Sequence, residues 1–116
     1  MQGNTVSSAN SKWIVSANQT VPGLGRGELL QSQFAQSSFL ARIVLNRYES
    51  NCLRDWLSQR WLAKSLEQTC ICETDQSRLL VSKSMSAASL LDAKERFEFW
   101  LQAVSADRAK AAQSRG

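Results

Sequence analysis

The sequence predicts a small two-layer α+β domain in which helices, including a long carboxy-terminal helix, cover a short antiparallel sheet. Three observations predict it. Apolar and β-branched segments bounded by turn residues indicate five short strands. Apolar residues at helical spacing indicate two helices, one after the third strand and one at the end of the chain. A length of 116 residues with 43% hydrophobic and 21% charged residues suits one globular domain with the order βββαββα, spanning residues 12–104.

The first elements follow from local composition. Residues 1–11 are small and polar apart from Val6, and they predict a flexible tail. Aromatic and β-branched residues at 12–15 are typical of a strand. Residues 21–27 hold the only proline and three of the five glycines, which predicts a turn.

Residues 28–48 have two interpretations. A hairpin has strands at 28–34 and 39–46 around a turn at 36–38, and its second strand has one wholly apolar face, formed by Phe39, Ala41, Ile43 and Leu45. A helix instead aligns Leu30, Phe34, Ala41, Leu45 and Tyr48 at roughly helical spacing. We favour the hairpin, although no glycine or proline breaks a helix here.

The next three elements are a helix and a second hairpin. Residues 51–67 predict a helix with Ser50 or Asn51 as its N-cap and a broad apolar side formed by Leu53, Trp56, Leu57, Trp61, Ala63 and Leu66. Residues 69–73 and 78–83 then predict two strands, because the intervening residues 74–77 have turn chemistry.

The last helix has the clearest pattern. Ser86 or Ser89 can cap it, and Ser89 places Asp92 at the third helical position, where a carboxylate stabilises the helix start. Asp92 and Arg96 are four residues apart, the spacing of a helical ion pair. The predicted core stripe is Leu90, Ala93, Phe97, Trp100, Leu101 and Val104. Phe99 projects away from this stripe, and residues 105–116 predict a frayed, charged end.

Composition argues against an enzyme. The chain has no histidine, which removes the commonest general base and metal ligand and therefore Ser-His-Asp, Cys-His and haem-histidine chemistry. The glycine-rich residues 23–27 lack the spacing of a phosphate-binding loop. We therefore expect no catalytic residue, no metal and no cofactor.

Three cysteines, Cys52, Cys70 and Cys72, form an odd number, which argues against a complete disulfide framework. Cys70 and Cys72 share one face if they lie on a strand. A tetrahedral zinc site needs four ligands, and one chain offers three thiols. The favoured interpretation is that these cysteines fill core positions as small hydrophobes, with a redox pair or a site shared across a dimer as alternatives.

The formal charge of +4 and isoelectric point of about 9.3 raise the question of nucleic-acid binding. The 14 basic residues are dispersed among ten acidic ones, which indicates a mixed solvated surface and disfavours direct nucleic-acid contact. The alternative is a small basic nucleic-acid-binding protein that uses Arg42, Arg47, Arg54, Arg60 and Lys64. Continuous helix over residues 28–67 would place several of these arginines on one groove-facing surface, whereas a hairpin scatters them. No signal peptide and no apolar stretch of membrane-spanning length is visible, so we expect a cytoplasmic protein that does not contact membranes.

The element order and the ending RLLVSKSMSAASLLDAKERFEFWLQAV resemble the class I chaperones of bacterial type III secretion. In size and style the chain also resembles the small regulatory proteins of the Hrp secretion clusters of plant-pathogenic bacteria, including the negative regulator among them. The resemblance implies a small α+β protein that dimerises and binds another protein, which is a secretion substrate, an activator or a co-regulator.

Together these points predict a non-enzymatic protein-binding module, chaperone-like or an anti-activator, that acts by occluding a partner protein. A homodimer is a further expectation. Aromatic side chains often dominate protein interfaces, so the candidate partner-binding residues are Trp56, Trp61 and Phe99.

Overall fold

The computed structural model describes residues 12–52, 66–74 and 78–114, with backbone alone at 51–52 and 111–114. It confirms the α+β class and the βββαββα order. All neighbouring strands are antiparallel, in the spatial order β1-β2-β3-β5-β4. The elements are β1 (Trp13–Val21), β2 (Gly25–Ser32), β3 (Ser38–Leu45), α1 (Arg47–Cys52), β4 (Cys70–Glu73), β5 (Leu79–Ser86) and α2 (Leu90–Ser114). The predicted tail, residues 1–11, lies outside the described residues.

Residues 28–48 contain the predicted hairpin. Along β3, buried residues alternate with half-buried ones, as the hydrophobic pattern predicted. The helical alternative is wrong, and so is the continuous helix that would have aligned the arginines for a nucleic-acid groove. The β2 strand ends at Ser32, two residues before Phe34, because the Ser32 hydroxyl accepts hydrogen bonds from the amides of Phe34 and Ala35 at 3.1 Å and so stabilises a turn.

The first strand is longer than its apolar start predicted. It continues through polar residues to Val21 because β2 supplies a pairing partner along this length, with one irregularity between Val15 and Ala17. The turn to β2 is correspondingly short. Gly23 adopts a φ of 75° there, and the Leu24 amide donates to the Val21 carbonyl at 3.0 Å.

Helix α1 begins at Arg47, four residues before the predicted start. Asn46 caps it, since its side-chain oxygen accepts the Glu49 amide at 2.7 Å. Ser50, a predicted cap, instead accepts the Leu79 amide at 3.1 Å and joins the helix to β5. Residues 53–65, most of the predicted helix, lie outside the described residues.

The core lies between α2 and one face of the sheet. Five of the six predicted stripe residues of α2 are buried, and Leu90, in the first turn, is 37% exposed. Ser89 caps the helix by accepting the Asp92 amide at 3.1 Å, while Asp92 accepts the Ala88 amide at 3.3 Å. A Cβ at Gly27 would lie 3.0 Å from a methyl of Leu101, so the glycine lets α2 approach the sheet closely.

Candidate functional site

Phe99 lies where its position on the helix predicted, outside the core stripe, with 63% of its surface exposed. It lines an open groove of about 570 Å³ between α2 and the end of β5. The residues around this β5–α2 groove are Lys83, Ser84, Met85, Ser86, Glu95, Arg96, Phe99 and Trp100. Trp56 and Trp61, the other predicted anchors, lie outside the described residues.

The groove has an apolar base between charged rims. Trp100 is only 1% exposed, and its indole N–H donates to the Thr69 hydroxyl at 3.2 Å, which holds the ring in place. Met85 packs partly buried against the core beside it. The rims carry charges of both signs, and one of them, Arg96, contacts Asp92 at 3.2 Å. An apolar side chain can therefore enter the groove without burying an isolated charge.

The end of β5 beside the groove has no partner strand on one side among the described residues. In an antiparallel sheet, successive residues direct their backbone N–H and C=O groups to opposite neighbours. The Ala87 amide donates to the Ser37 carbonyl at 3.0 Å, so the odd-numbered residues of β5 bond towards β3 and the even-numbered ones towards β4. Pairing with β4 stops at Ser82, opposite Cys70. The backbone groups of Ser84 and Ser86 therefore face outward beyond the end of β4, and both residues are exposed.

An extended polypeptide fits this arrangement chemically. Its backbone can bond to Ser84 and Ser86, as in the addition of a strand to a sheet edge. Because strand side chains alternate between faces, every second side chain of such a segment points towards α2 and Phe99. Sequence reasoning identified Phe99 but missed the open edge, since no local pattern reveals that β4 is shorter than its neighbour.

Four of the six arginines in the described part of the chain form ion pairs: Arg26, Arg42, Arg96 and Arg108. Glu28, 7% exposed on the sheet face opposite α2, contacts Arg42 at 2.7 Å and Arg26 at 3.2 Å. Arg108 of α2 contacts Glu49 of α1 at 2.7 Å. Among the basic residues proposed for nucleic-acid binding, Arg42 is thus paired within the sheet and Arg47 is exposed on α1. Arg54, Arg60 and Lys64 lie outside the described residues.

The cysteines of β4 are not in the core. Cys70 and Cys72 are free and exposed, so the interpretation of these two as core-filling residues is wrong. They lie on β4, the outermost strand on this side of the sheet among the described residues, and they point to the face opposite α2. Among the described residues, no group of three or more Cys, Asp or Glu side chains is placed to hold a metal ion.

Comparison of the chain with protein-family models, with curated proteins and with solved structures found no match to any of them. Neither helix within residues 12–52, 66–74 and 78–114 has an apolar stretch long enough to cross a bilayer.

Proposed function

We propose that this chain is a non-enzymatic protein-binding module that holds an extended segment of a partner protein in the β5–α2 groove. The observation that carries the proposal is that an exposed aromatic side chain and outward-facing strand backbone groups lie together at the β5–α2 groove. Phe99 exposes an aromatic surface, and beside it Ser84 and Ser86 direct backbone groups outward, where the described residues supply no strand partner. Apolar surface and free strand edges both favour contact with another polypeptide.

The mechanism is occlusion. A partner segment that lies along β5 has its backbone groups bonded and one apolar side chain buried against Phe99, so it is withheld from other contacts. This role needs binding and release and no bond-breaking chemistry. It is consistent with a chain that has no histidine.

The finer role we propose is that of a chaperone-like protein or anti-activator of bacterial type III secretion, working in the cytoplasm. The support is the resemblance in element order and in the final strand and helix, together with a groove suited to a secretion substrate or a regulator. Gene neighbourhood discriminates here: adjacent secretion-apparatus genes support this role, and their absence from every genome that encodes the chain contradicts it.

The groove is tested with peptides selected from a random displayed library on the immobilised protein. Replacing Phe99 with Ala removes the anchor, and we expect the affinity for selected peptides, measured by fluorescence anisotropy, to fall by roughly 30-fold, the effect of losing a central aromatic contact. Tyr48→Ala is the matched control. Tyr48 is 72% exposed on α1, at the other end of the sheet, and its loss leaves binding unchanged.

Two results contradict the proposal. One is a selection that enriches no peptide. The other is a set of peptides that bind the Phe99→Ala and Tyr48→Ala variants equally well. Circular dichroism of both variants establishes that each is folded before affinities are compared.

A further inference from the structure

The two thiols of β4 lie side by side on one face of the sheet. Cys70 pairs with Ser82 and Cys72 pairs with Leu80, whereas Ile71 between them pairs with the core residue Val81. Both thiols therefore point to the face opposite α2, and both are exposed. Cysteine is among the most frequently buried residue types, so two exposed thiols two residues apart are unusual.

Among residues 12–52, 66–74 and 78–114, no strand pairs with the outer edge of β4, and pairing with β5 defines which backbone groups lie on that edge. The Thr74 amide donates to the Arg78 carbonyl at 2.7 Å, so the even-numbered residues of β4 direct their backbone groups to β5. Ile71 and Glu73 therefore direct theirs outward. Within the described chain, β4 is the last strand of the sheet on this side.

A second copy of the chain completes this edge symmetrically. Antiparallel pairing of two β4 strands about a two-fold axis at Ile71 makes Ile71 a hydrogen-bonded pair with its counterpart, as the outward groups require. Cys70 then lies opposite Cys72 of the second copy, and Cys72 lies opposite Cys70. These are non-hydrogen-bonded pairs, in which opposing Cα atoms are about 4.5 Å apart. All four thiols share one face.

We propose that Cys70 and Cys72 form half of a four-thiolate zinc site, which a second copy of this chain completes. Zinc prefers four sulfur or nitrogen ligands in tetrahedral geometry, and four thiolates make a closed structural site. One copy supplies only two ligands on β4, which is why the site requires the dimer. Leu80 and Ser82, the cross-strand neighbours, are uncharged and do not oppose the ion.

Zinc binding releases protons from the four thiols. Each of the four thiols releases one proton to solvent as its sulfur binds Zn²⁺ as the thiolate. The Cys70 thiol also gives up its weak hydrogen bond to the Gln68 carbonyl, 3.6 Å away. No electron is transferred and no oxidant is needed. The inference does not depend on the proposed function, since the β5–α2 groove contributes no ligand.

The test adds Zn²⁺ to reduced, metal-free full-length protein without oxygen. Sedimentation velocity and native mass spectrometry should show a dimer containing one zinc ion per two chains, and a chelator should return it to monomer. Cys70→Ser and Cys72→Ser should each abolish zinc-dependent dimerisation. Cys52→Ser is the matched control and should leave it intact. Phe99→Ala should also leave it intact, which separates this result from the groove experiment.

The zinc site is overturned if the protein does not bind zinc tightly or if a monomer binds one zinc ion. It is also overturned if the Cys70→Ser variant dimerises with zinc as well as the wild type does, or if the zinc-dependent dimer survives chelation. A dimer that forms only after the reductant is removed also overturns it, because that result assigns the thiols to disulfides. Since both residues are exposed, the serine variants should keep the wild-type unfolding midpoint in urea, which shows that any lost binding is not lost folding.

Discussion

Arg108 forms the least exposed ion pair among the described residues, and sequence reasoning did not anticipate it. Its side chain is 19% exposed and that of Glu49 is 10% exposed, with 2.7 Å between Nε and the carboxylate. The two residues are 59 positions apart in the chain, and Arg108 lies in a segment predicted to fray. Helical periodicity contains no information about such a contact, because the partner comes from another element.

Replacing Arg108 with Met should lower the free energy of unfolding by about 3 kcal/mol, because Glu49 then keeps a mostly buried carboxylate without its partner. Arg96→Met is the control. It breaks the exposed pair with Asp92 on the same helix and should cost less than about 0.5 kcal/mol. Urea unfolding of the three proteins measures both losses. Equal losses of unfolding free energy in the two variants would contradict this expectation, because the half-buried pair of Arg108 and Glu49 would then stabilise the fold no more than the exposed pair of Arg96 and Asp92.

Individual side chains of the candidate site were predictable to different degrees. Phe99 was correctly placed off the core stripe, because positions 97 and 99 lie nearly opposite on a helix. The exposure of Cys70 and Cys72 was not predicted, because a general tendency of cysteine to be buried says nothing about which strand lies at an edge.

Elements were predicted best where periodicity and capping chemistry agreed. The alternation along β3 predicted a strand, and Ser89 with Asp92 predicted the start of α2. The start of α1 was predicted wrongly because Asn46, Ser50 and Asn51 are all good capping residues. Tertiary structure decides among them, since Ser50 is used to bond the first residue of β5.

The cap of α2 provides a test at this scale. Ser89→Ala removes the acceptor for the Asp92 amide and should lower the free energy of unfolding by about 1 kcal/mol. Ser105→Ala is the control within the same helix, where alanine is the better helix former and stability should stay the same or rise. Thermal or urea unfolding distinguishes the two variants. A loss at Ser105 that matches the loss at Ser89 would contradict the capping role.

At the scale of the whole molecule, the fold class followed from the sequence but the sheet order did not. Placing β5 between β3 and β4 depends on long-range pairing, which no local pattern reports. The groove follows from that order. Because β4 has four residues and β5 has eight, the end of β5 extends past its neighbour and lies beside Phe99.

Amide hydrogen exchange at Ser84 and Ser86 tests most directly whether an extended partner segment pairs with β5. These two amides should exchange fast in the free protein and slow by roughly tenfold or more when a selected peptide is bound, because the peptide backbone then accepts their hydrogen bonds. Lys83 and Met85 are internal controls. Their amides bond towards β3 and should be protected in both states. A bound peptide that leaves Ser84 and Ser86 exchanging at their free rates would contradict the account.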